Sequence, residues 1–173
     1  MNLEILPALI TDKPALDQLM ELYCYDFSAF DGADVDAQGR FGYPFLDLYW
    51  SEQGRHPFLL RVDGKLAGFV LVNKHTLLPE SEWCIAEFFV MRKYRRHGLG
   101  QRAACFIFDQ FRGRWEVAQI AANLEARLFW RKVIGEYTGG KFEEFVFDDE
   151  QWKGSVQVFE NKFKTASESY SFD

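Results

Sequence analysis

The segment that decides the fold is Phe88 to Gln101, F-F-V-M-R-K-Y-R-R-H-G-L-G-Q. An apolar run from Cys84 to Met91 leads into it and predicts a buried strand. Residues 92–97 then include five basic side chains, and Gly98-Leu99-Gly100 opens a helical pattern. Backbone N–H groups and positive charge at the N-terminus of a helix bind anions. The segment therefore predicts an anion site between a strand and a helix.

Composition indicates a globular chain with one domain over residues 1–163 and a polar, frayed tail at 164–173. Hydrophobic residues make up 48% of its 173 residues, and 18 Phe predict an aromatic-rich core. The net charge of −6 disfavours general binding to nucleic acid or to an anionic membrane. The odd number of cysteines indicates reduced thiols. Without a signal peptide or a long apolar run, the protein is expected in the cytoplasm.

Hydrophobic periodicity divides the chain into strands and helices. Strands are expected at Leu3–Ile10, Pro57–Val62, Leu66–Asn73, Glu82–Met91, Trp115–Ala121, Lys141–Phe147 and Ser155–Phe159. Helices are expected from Thr11 or Asp12 to Tyr25 or Phe27, at Pro44–Trp50, at Gly98–Phe111 and at Leu124–Ile134. Asp63-Gly64 predicts a tight hairpin, and Gly113 and Gly135 are expected to end the last two helices. This order predicts a mixed sheet with helices on its faces.

A loop rich in Gly and Asp is expected at residues 28–43, and its D-V-D-A-Q-G stretch partly matches a calcium loop. The third ligand would be Gln38, however, and Phe45 takes the twelfth position, where a bidentate Glu is needed. The three histidines are scattered without metal-ligand spacing. No metal site is therefore expected.

Two common phosphate loops do not match the glycine segment. A Walker loop needs a Lys-Ser or Lys-Thr pair after its last glycine, and none follows Gly100. A dinucleotide fingerprint needs G-x-G-x-x-G at the first strand turn, whereas this segment follows several predicted strands. The remaining pattern is R-x-x-G-x-G, formed by Arg95, Gly98 and Gly100 directly after a buried strand.

This pattern and its flanks resemble the GNAT superfamily of acetyl-CoA-dependent N-acetyltransferases, whose pyrophosphate loop reads Q/R-x-x-G-x-G/A. I-L-P-A near the N-terminus resembles the first strand of the family, and V-D-G-K-L-A-G-F-V resembles its central hairpin. N-L-E-A-R-L-F-W-R-K-V-I-G resembles its N-x-x-A-x-x-F-Y-x-x-x-G-F segment. The resemblance covers nearly the whole chain. It implies an α/β (α+β) fold with a mixed, mostly antiparallel central sheet, flanking helices and a splayed central strand.

The resemblance also implies acetyl-CoA as the co-substrate. Its pyrophosphate would face the N–H groups of residues 96–101, and the two loop glycines permit close backbone approach. The implied contacts are Phe89, Val90, Met91, Arg95, Arg96, His97, Gly98, Leu99, Gly100, Gln101, Asn123 and Trp130. The Val90 amide would bind the thioester carbonyl and stabilise the developing oxyanion. Asn123 would contact the pantetheine arm or the phosphates, or serve as a helix N-cap.

Glu87 is the strongest candidate for a catalytic residue. It lies within the apolar run C-I-A-E-F-F-V, where an ionised carboxylate is costly unless it is paired or faces water. An amine must lose a proton before it attacks a thioester, and a partly buried carboxylate with a raised pKa is suited to accept that proton. The alternative is a structural salt bridge to an arginine such as Arg61.

The acceptor site is expected in the N-terminal half of the chain. Tyr25, Asp26 and Trp50, with Tyr23 and Tyr49 close by in the sequence, combine aromatic faces with a carboxylate. This combination suits a cationic amine. The same residues serve equally well as helix-packing side chains, so both interpretations stay open.

Trp130 departs from the pattern of the family, in which many members have a tyrosine that protonates the departing thiolate. An indole N–H only donates a hydrogen bond at neutral pH. Coenzyme A would then leave as the thiolate, or Tyr94 or Tyr137 would protonate it, or catalysis would be weak. The expected function is direct transfer of acetyl to a primary amine of a small-molecule or peptide acceptor, by a monomer or homodimer. The alternative is a non-catalytic sensor that binds acetyl-CoA.

Overall fold

The computed structural model describes residues 1–161, in which seven strands form one sheet and three α-helices cover it. Strands β1 to β7 span Leu3–Pro7, His56–Val62, Lys65–Asn73, Trp83–Val90, Gly113–Ile120, Glu143–Asp148 and Lys153–Asn161. Helices α1 to α3 span Lys13–Asp31, Leu99–Gln110 and Leu124–Thr138. Short 3₁₀ turns lie at Ile10–Asp12, Leu46–Trp50 and Arg92–Tyr94. The tail predicted at 164–173 lies outside the described residues.

The sheet has the strand order β1-β2-β3-β4-β5-β7-β6. Neighbouring strands are antiparallel except β4 and β5, which run parallel. The predicted mixed, mostly antiparallel sheet is confirmed. The predicted hairpin is also confirmed, because Asp63 and Gly64 both have positive φ, 51° and 74°, as a two-residue type I′ turn requires.

Strands β4 and β5 separate after a short paired stretch, which confirms the predicted splayed strand. Their ladder runs from Trp83 opposite Trp115 to Ile85 opposite Val117, whereas β4 stays paired with β3 as far as Val90. The N–H of the next residue, Met91, donates to a β3 carbonyl over 2.8 Å. Since backbone groups alternate sides along a strand, the N–H and C=O of Val90 point into the gap between β4 and β5.

Helix α1 covers one face of the sheet, and α2 and α3 cover the other. Phe69 lies in the core under α1, and Phe108 and Trp115 lie in the core under α2 and α3; all three are fully buried. This arrangement agrees with the aromatic-rich core that the composition predicts. No helix within residues 1–161 has the length and the hydropathy to cross a membrane.

Strand β4 contains a β-bulge at Ala86. Leu71 of β3 faces Glu87, but its neighbour in β3 faces Ile85, so Ala86 is an additional residue. A bulge shifts the alternation of side chains by one position. Ala86 and Glu87 therefore both lie on the α1 face, and Phe88 packs on the opposite face. Glu87 and Ile85 therefore lie on opposite faces of the sheet, although they are only two residues apart.

Several predicted boundaries were wrong. Helix α1 extends beyond Phe27 to Asp31, where Gly32 in the left-handed region at φ 70° ends it. Helix α3 continues through Gly135, whose added Cβ would lie 3.6 Å from the ring of Phe142. Gly139 at φ 62° ends that helix instead.

Two strand boundaries also differ from the prediction. Gly113 does not end α2 but is the first residue of β5, where it pairs with Asn161 of β7. Strand β1 ends at Pro7 rather than Ile10, and the chain then turns through a 3₁₀ segment into α1. Single glycines and short apolar runs do not by themselves locate these ends.

Candidate active site

The gap between β4 and β5 forms a cavity of about 500 Å³ that reaches both faces of the sheet. The side chains near its α3 end are Phe88, Val117, Gln119, Asn123, Ala126 and Trp130. Those near its α1 end include Tyr23, Cys24, Phe27, Phe41, Tyr43 and Glu87. The separation of β4 and β5 thus creates one continuous cavity that runs through the sheet from the side covered by α3 to the side covered by α1.

Glu87 lies at the α1 end of this cavity. The Tyr23 hydroxyl donates to its Oε2 over 2.5 Å, and the Tyr43 hydroxyl lies close enough to favour the ionised carboxylate. Burial raises the pKa of Glu87, and the two hydroxyls offset part of that rise. The salt bridge considered as an alternative is not found within residues 1–161, where Arg61 donates to the carbonyl of Gly64. The geometry therefore supplies a buried carboxylate beside the open backbone of β4.

Tyr43 reaches Glu87 because the preceding loop is fastened to α1. This loop, the strap, comprises residues 32–43. The N–H groups of Phe41 and Gly42 donate to the Glu21 carboxylate over 2.8 and 3.0 Å, and Arg40 also pairs with Glu21. Burial raises the pKa of Glu21, but these hydrogen bonds and Arg40 outweigh that effect and lower it. Sequence reasoning missed Tyr43, since a tyrosine after a glycine-rich loop has no periodicity to interpret.

The anion loop, residues 92–101, connects β4 to α2. Arg96 and Gly98 have positive φ, 64° and 72°. The first helical bond of α2 runs from the N–H of Arg102 to Gly98 O over 3.1 Å. The N–H groups of residues 96–101 precede it and find no acceptor among the described residues. Unpaired N–H groups at a helix N-terminus form an anion site.

The two glycines of the anion loop meet different requirements. Nothing lies within 4 Å of an added Cβ at Gly98, so its positive φ is what requires glycine. A Cβ at Gly100 would lie 3.2 Å from the ring of Phe129 and 3.7 Å from that of Phe88. Glycine at this position therefore lets the first turn of α2 approach α3. The side chain of Leu99, in contrast, is buried in the core.

Arg95 joins the anion loop to both β4 and α1. Its Nε donates to Val90 O over 2.7 Å, and its Nη2 pairs with Asp26 over 2.5 Å. Arg92 also pairs with Asp26, over 2.8 Å. Burial raises the pKa of Asp26, but hydrogen bonds from Arg95 and Arg92 outweigh this and lower it. Asp26, expected on the acceptor side, is thus placed against the anion loop.

The family assignment follows from a comparison of the sequence. A sequence model described as the acetyltransferase (GNAT) family matches residues 16–135. The chain belongs to the GNAT acetyltransferase family. The matched range runs from α1 to α3, so it contains Glu87, the anion loop and Trp130. No curated protein gives a significant match.

Solved structures share the GNAT fold at low sequence identity. An acetyltransferase from Thermus thermophilus is 19% identical with a TM-score of 0.66, covering 93% of this chain and 98% of its own. The ribosomal-protein-S18-alanine N-acetyltransferase from Escherichia coli is 14% identical with a TM-score of 0.57, covering 98% and 100%. RimL, a ribosomal L7/L12 α-N-protein acetyltransferase solved with coenzyme A, is 14% identical with a TM-score of 0.58, covering 91% and 92%.

At the α3 end, Asn123 and Trp130 of the GNAT pattern both line the cavity. Asn123 is the N-cap of α3, since its Oδ1 accepts the N–H of Ala126 over 3.0 Å. Trp130 is 5% exposed, and its ring meets those of Phe88 and Phe129 edge to face, with centroids 5.0 Å apart. The indole is therefore a fixed part of the wall.

The tyrosines considered as replacement proton donors do not line this cavity. Tyr94 is buried in the core under α2 and α3. The Tyr137 hydroxyl donates to Asp109 over 2.7 Å at the other end of α2. The arrangement within residues 1–161 therefore places no tyrosine hydroxyl on the wall that Trp130 forms.

The other predicted GNAT site residues lie apart from Glu87. Arg96 and His97 have exposed side chains, and the Gln101 amide bonds to Glu136 over 2.5 Å. Tyr25 is exposed. The Trp50 indole donates to a backbone carbonyl at residue 8 over 3.0 Å and packs against the core under α1. Neither Tyr25 nor Trp50 lines the cavity.

The side chain of Phe89 packs in the core under α1, and that of Met91 contacts the cores on both faces of the sheet; neither lines the cavity. Phe89 is 5% exposed, and its ring lies 6.0 Å from that of Tyr23. It therefore supports the tyrosine that bonds to Glu87. Of the segment from 89 to 91, Val90 is the residue whose backbone opens to the gap.

Cysteine chemistry is not favoured at this GNAT site. Cys24 lines the cavity, but burial raises its pKa to about 11. Burial likewise raises the pKa of Cys84 to about 12. Both thiols therefore stay protonated at neutral pH, and a thiolate is the nucleophilic form. Within residues 1–161, no three His, Cys, Asp or Glu side chains lie close enough together to hold a metal ion.

Proposed function

We propose that the protein transfers acetyl from acetyl-CoA to a primary amine by direct attack, with Glu87 as the general base. One observation carries this proposal: the Glu87 carboxylate, with its raised pKa, lies in the gap into which the N–H of Val90 points. A carboxylate in this setting accepts a proton at neutral pH while the backbone N–H donates to an oxygen.

The residues around the gap fit acetyl-CoA. The unpaired N–H groups of residues 96–101 suit its pyrophosphate. The N–H of Val90 suits the amide-bearing pantetheine arm, since β4 lacks a β5 partner there, whereas the C=O of Val90 accepts from Arg95. Gln119 adds a buried side-chain oxygen at the cavity wall, for which residues 1–161 offer no hydrogen-bond partner. Acetyl-CoA would supply the thioester that carries the acetyl group.

The chain itself supplies proton transfer and charge stabilisation. An acceptor enters as an ammonium ion, and Glu87 takes the proton that frees the nitrogen lone pair. The N–H of Val90 donates to the acetyl oxygen as the C–N bond forms and the C–S bond breaks. The nitrogen gives up a second proton, so that the amide and free coenzyme A are the products. One of the two protons ends on the thiol and the other in solvent.

Trp130 favours a second candidate, a sensor that binds acetyl-CoA without turnover. An indole does not protonate a thiolate at neutral pH, and Tyr94 and Tyr137 are placed away from the cavity. Transfer remains the better supported function, because a thiolate is a competent leaving group without a proton. A sensor would also have no need for a carboxylate inside the gap.

Thiol release separates the two candidates. The protein is incubated with acetyl-CoA and a panel of amines, with thiol release and acetylated amine both measured. Wild type and the control Glu80→Gln, an exposed loop residue, should turn over, and Glu87→Gln should lose about 10²- to 10⁴-fold in rate. Calorimetry should show acetyl-CoA binding in all three. Binding without release across the panel would establish the sensor, and unchanged turnover in Glu87→Gln would exclude Glu87 as the base.

A further inference from the structure

The α1 end of the cavity is an aromatic slot that ends in a carboxylate. Tyr23 and Phe27 of α1 lie with ring centroids 5.5 Å apart, and Phe41 and Tyr43 of the strap also line this end of the cavity. The described lining residues include the carboxylates of Glu87 and Asp31 but no lysine, arginine or histidine. Aromatic rings bury apolar groups and attract cations. The slot therefore suits a cation with an apolar body.

The strap offers few free backbone partners to an occupant of this slot. The N–H groups of Phe41 and Gly42 are taken by Glu21. Asp36 and Arg40 pair through the backbone over 2.8 Å, so the middle of the strap bonds to itself. Recognition of an extended peptide draws on free main-chain groups. The strap is therefore better suited to close over a small molecule than to hold a peptide.

We propose that the acceptor is a small primary amine with an aromatic or otherwise apolar body. Its ammonium group lies at Glu87, and its body lies between α1 and the strap. This inference rests on the proposed function and adds the substrate class. The reaction converts the amine and acetyl-CoA into a neutral N-acetyl amide and coenzyme A, so the product loses the charge that Glu87 recognises.

A comparison of kcat/KM for three types of acceptor tests the proposed substrate class. The acceptors are 2-phenylethylamine, spermidine and a hexapeptide with a free N-terminus. The kcat/KM for 2-phenylethylamine should exceed the other two by about tenfold or more, the factor that corresponds to 1.4 kcal/mol. Phe41→Ala should raise the KM for 2-phenylethylamine by about tenfold and leave the KM for acetyl-CoA unchanged. Phe145→Ala, which removes a partly exposed ring from the edge strand β6, should leave both constants unchanged.

The experiments distinguish a wrong substrate class from a wrong proposed function. Preference for the hexapeptide or spermidine, with no effect of Phe41→Ala, would overturn the inference and leave acetyl transfer intact. If no amine releases thiol, calorimetry of 2-phenylethylamine in the presence of coenzyme A decides. Binding that weakens in Phe41→Ala would support the slot, and absence of binding would overturn it. Phe27→Leu provides a second variant if Phe41→Ala does not fold, as judged by circular dichroism.

Discussion

The Tyr23 hydroxyl donates a hydrogen bond to Oε2 of Glu87 over 2.5 Å and thereby joins α1 to the bulged strand β4. Burial, and then the charge of Glu87, raise the pKa of Tyr23 well above its ordinary value. Tyr23 therefore remains a donor across the working pH range. Its hydrogen bond stabilises the ionised form of Glu87, whereas burial favours the protonated form. In the proposed mechanism, the balance between these two effects sets the pH at which Glu87 acts as a base.

Tyr23→Phe should move the acidic limb of the kcat/KM profile to higher pH. The variant loses a donor that stabilises the Glu87 carboxylate, so the already raised pKa of Glu87 rises further. Activity requires the ionised form and therefore appears at higher pH than in wild type. The profile is measured with one amine acceptor in both proteins, so that the pKa of the amine cancels in the comparison.

Tyr137→Phe is the matched control for this change. It also removes a hydrogen bond from a tyrosine to a carboxylate, that of Asp109, but does so away from the cavity. Its acidic limb should coincide with that of wild type. An unshifted limb in Tyr23→Phe, or an equal shift in both variants, would show that Tyr23 does not tune Glu87.

Glu21→Ala should release the strap from α1. The carboxylate accepts two backbone N–H groups, and its loss should lower the free energy of unfolding by about 1 kcal/mol. The KM for the amine should rise, and the Kd of acetyl-CoA should stay the same because the anion loop is untouched. Glu80→Ala provides the control for removing an exposed carboxylate. A raised Kd for acetyl-CoA in Glu21→Ala would mean that the strap also shapes the cofactor site.

The stabilisation by Glu21 should depend on pH in a defined direction. Its folded-state pKa is lowered, so its contribution is fully present above the unfolded value of about 4.3. The contribution is lost as the pH falls through the lower, folded value. The difference in thermal midpoint between wild type and Glu21→Ala should therefore be constant near neutrality and shrink in acid. A difference that grows in acid would contradict the assigned sign.

The sequence predicted the strand, glycine loop and helix around the candidate site, because these elements depend on local pattern. The pattern R-x-x-G-x-G after an apolar strand predicts the anion loop, because the spacing of Gly98 and Gly100 is visible in the sequence. The position of Tyr43 depends on a long-range clamp to Glu21, and that of Asp26 on a pairing with Arg95 across the chain. Such contacts between distant segments leave no periodicity in the sequence.

The bulge in β4 shows the same limit. The sequence predicts a regular buried strand over C-I-A-E-F-F-V. Strict alternation of side chains along such a strand would put Ile85 and Glu87 on the same face. The additional residue Ala86 breaks this alternation, so that Ile85 and Glu87 lie on opposite faces. Bulges arise from the register against a neighbouring strand rather than from one segment alone. The sequence could therefore nominate Glu87 but not the direction in which it points.

Gly98→Val should weaken the binding of acetyl-CoA. Gly98 has φ 72°, and a β-branched residue would push this backbone out of the left-handed region at a cost of about 1–2 kcal/mol. The N–H groups that follow would then lose their common direction, so the Kd should rise by about tenfold or more. Calorimetry with acetyl-CoA provides the measurement.

Gly139→Val is the control that separates an effect on acetyl-CoA binding from a general effect of backbone strain. Gly139 also has a positive φ, 62°, with nothing within 4 Å of an added Cβ. It lies after the last turn of α3, so the variant should lose comparable stability but keep its affinity for acetyl-CoA. Equal loss of affinity in both variants would indicate general unfolding rather than a pyrophosphate contact at Gly98.

Asp26→Asn should tighten the binding of acetyl-CoA, because it removes a negative charge that now pairs with Arg95 and Arg92 beside the anion loop. The two guanidinium groups would then face the phosphates without a competing carboxylate. The gain should be several-fold near 0.01 M salt, where the Debye length is about 30 Å, and should fade near 1 M, where it is about 3 Å. Asp47→Asn, which breaks the exposed pair with Lys13, makes the same charge change elsewhere and should not alter the Kd. Weaker binding in Asp26→Asn would instead mean that Asp26 holds Arg95 in the orientation that the cofactor needs.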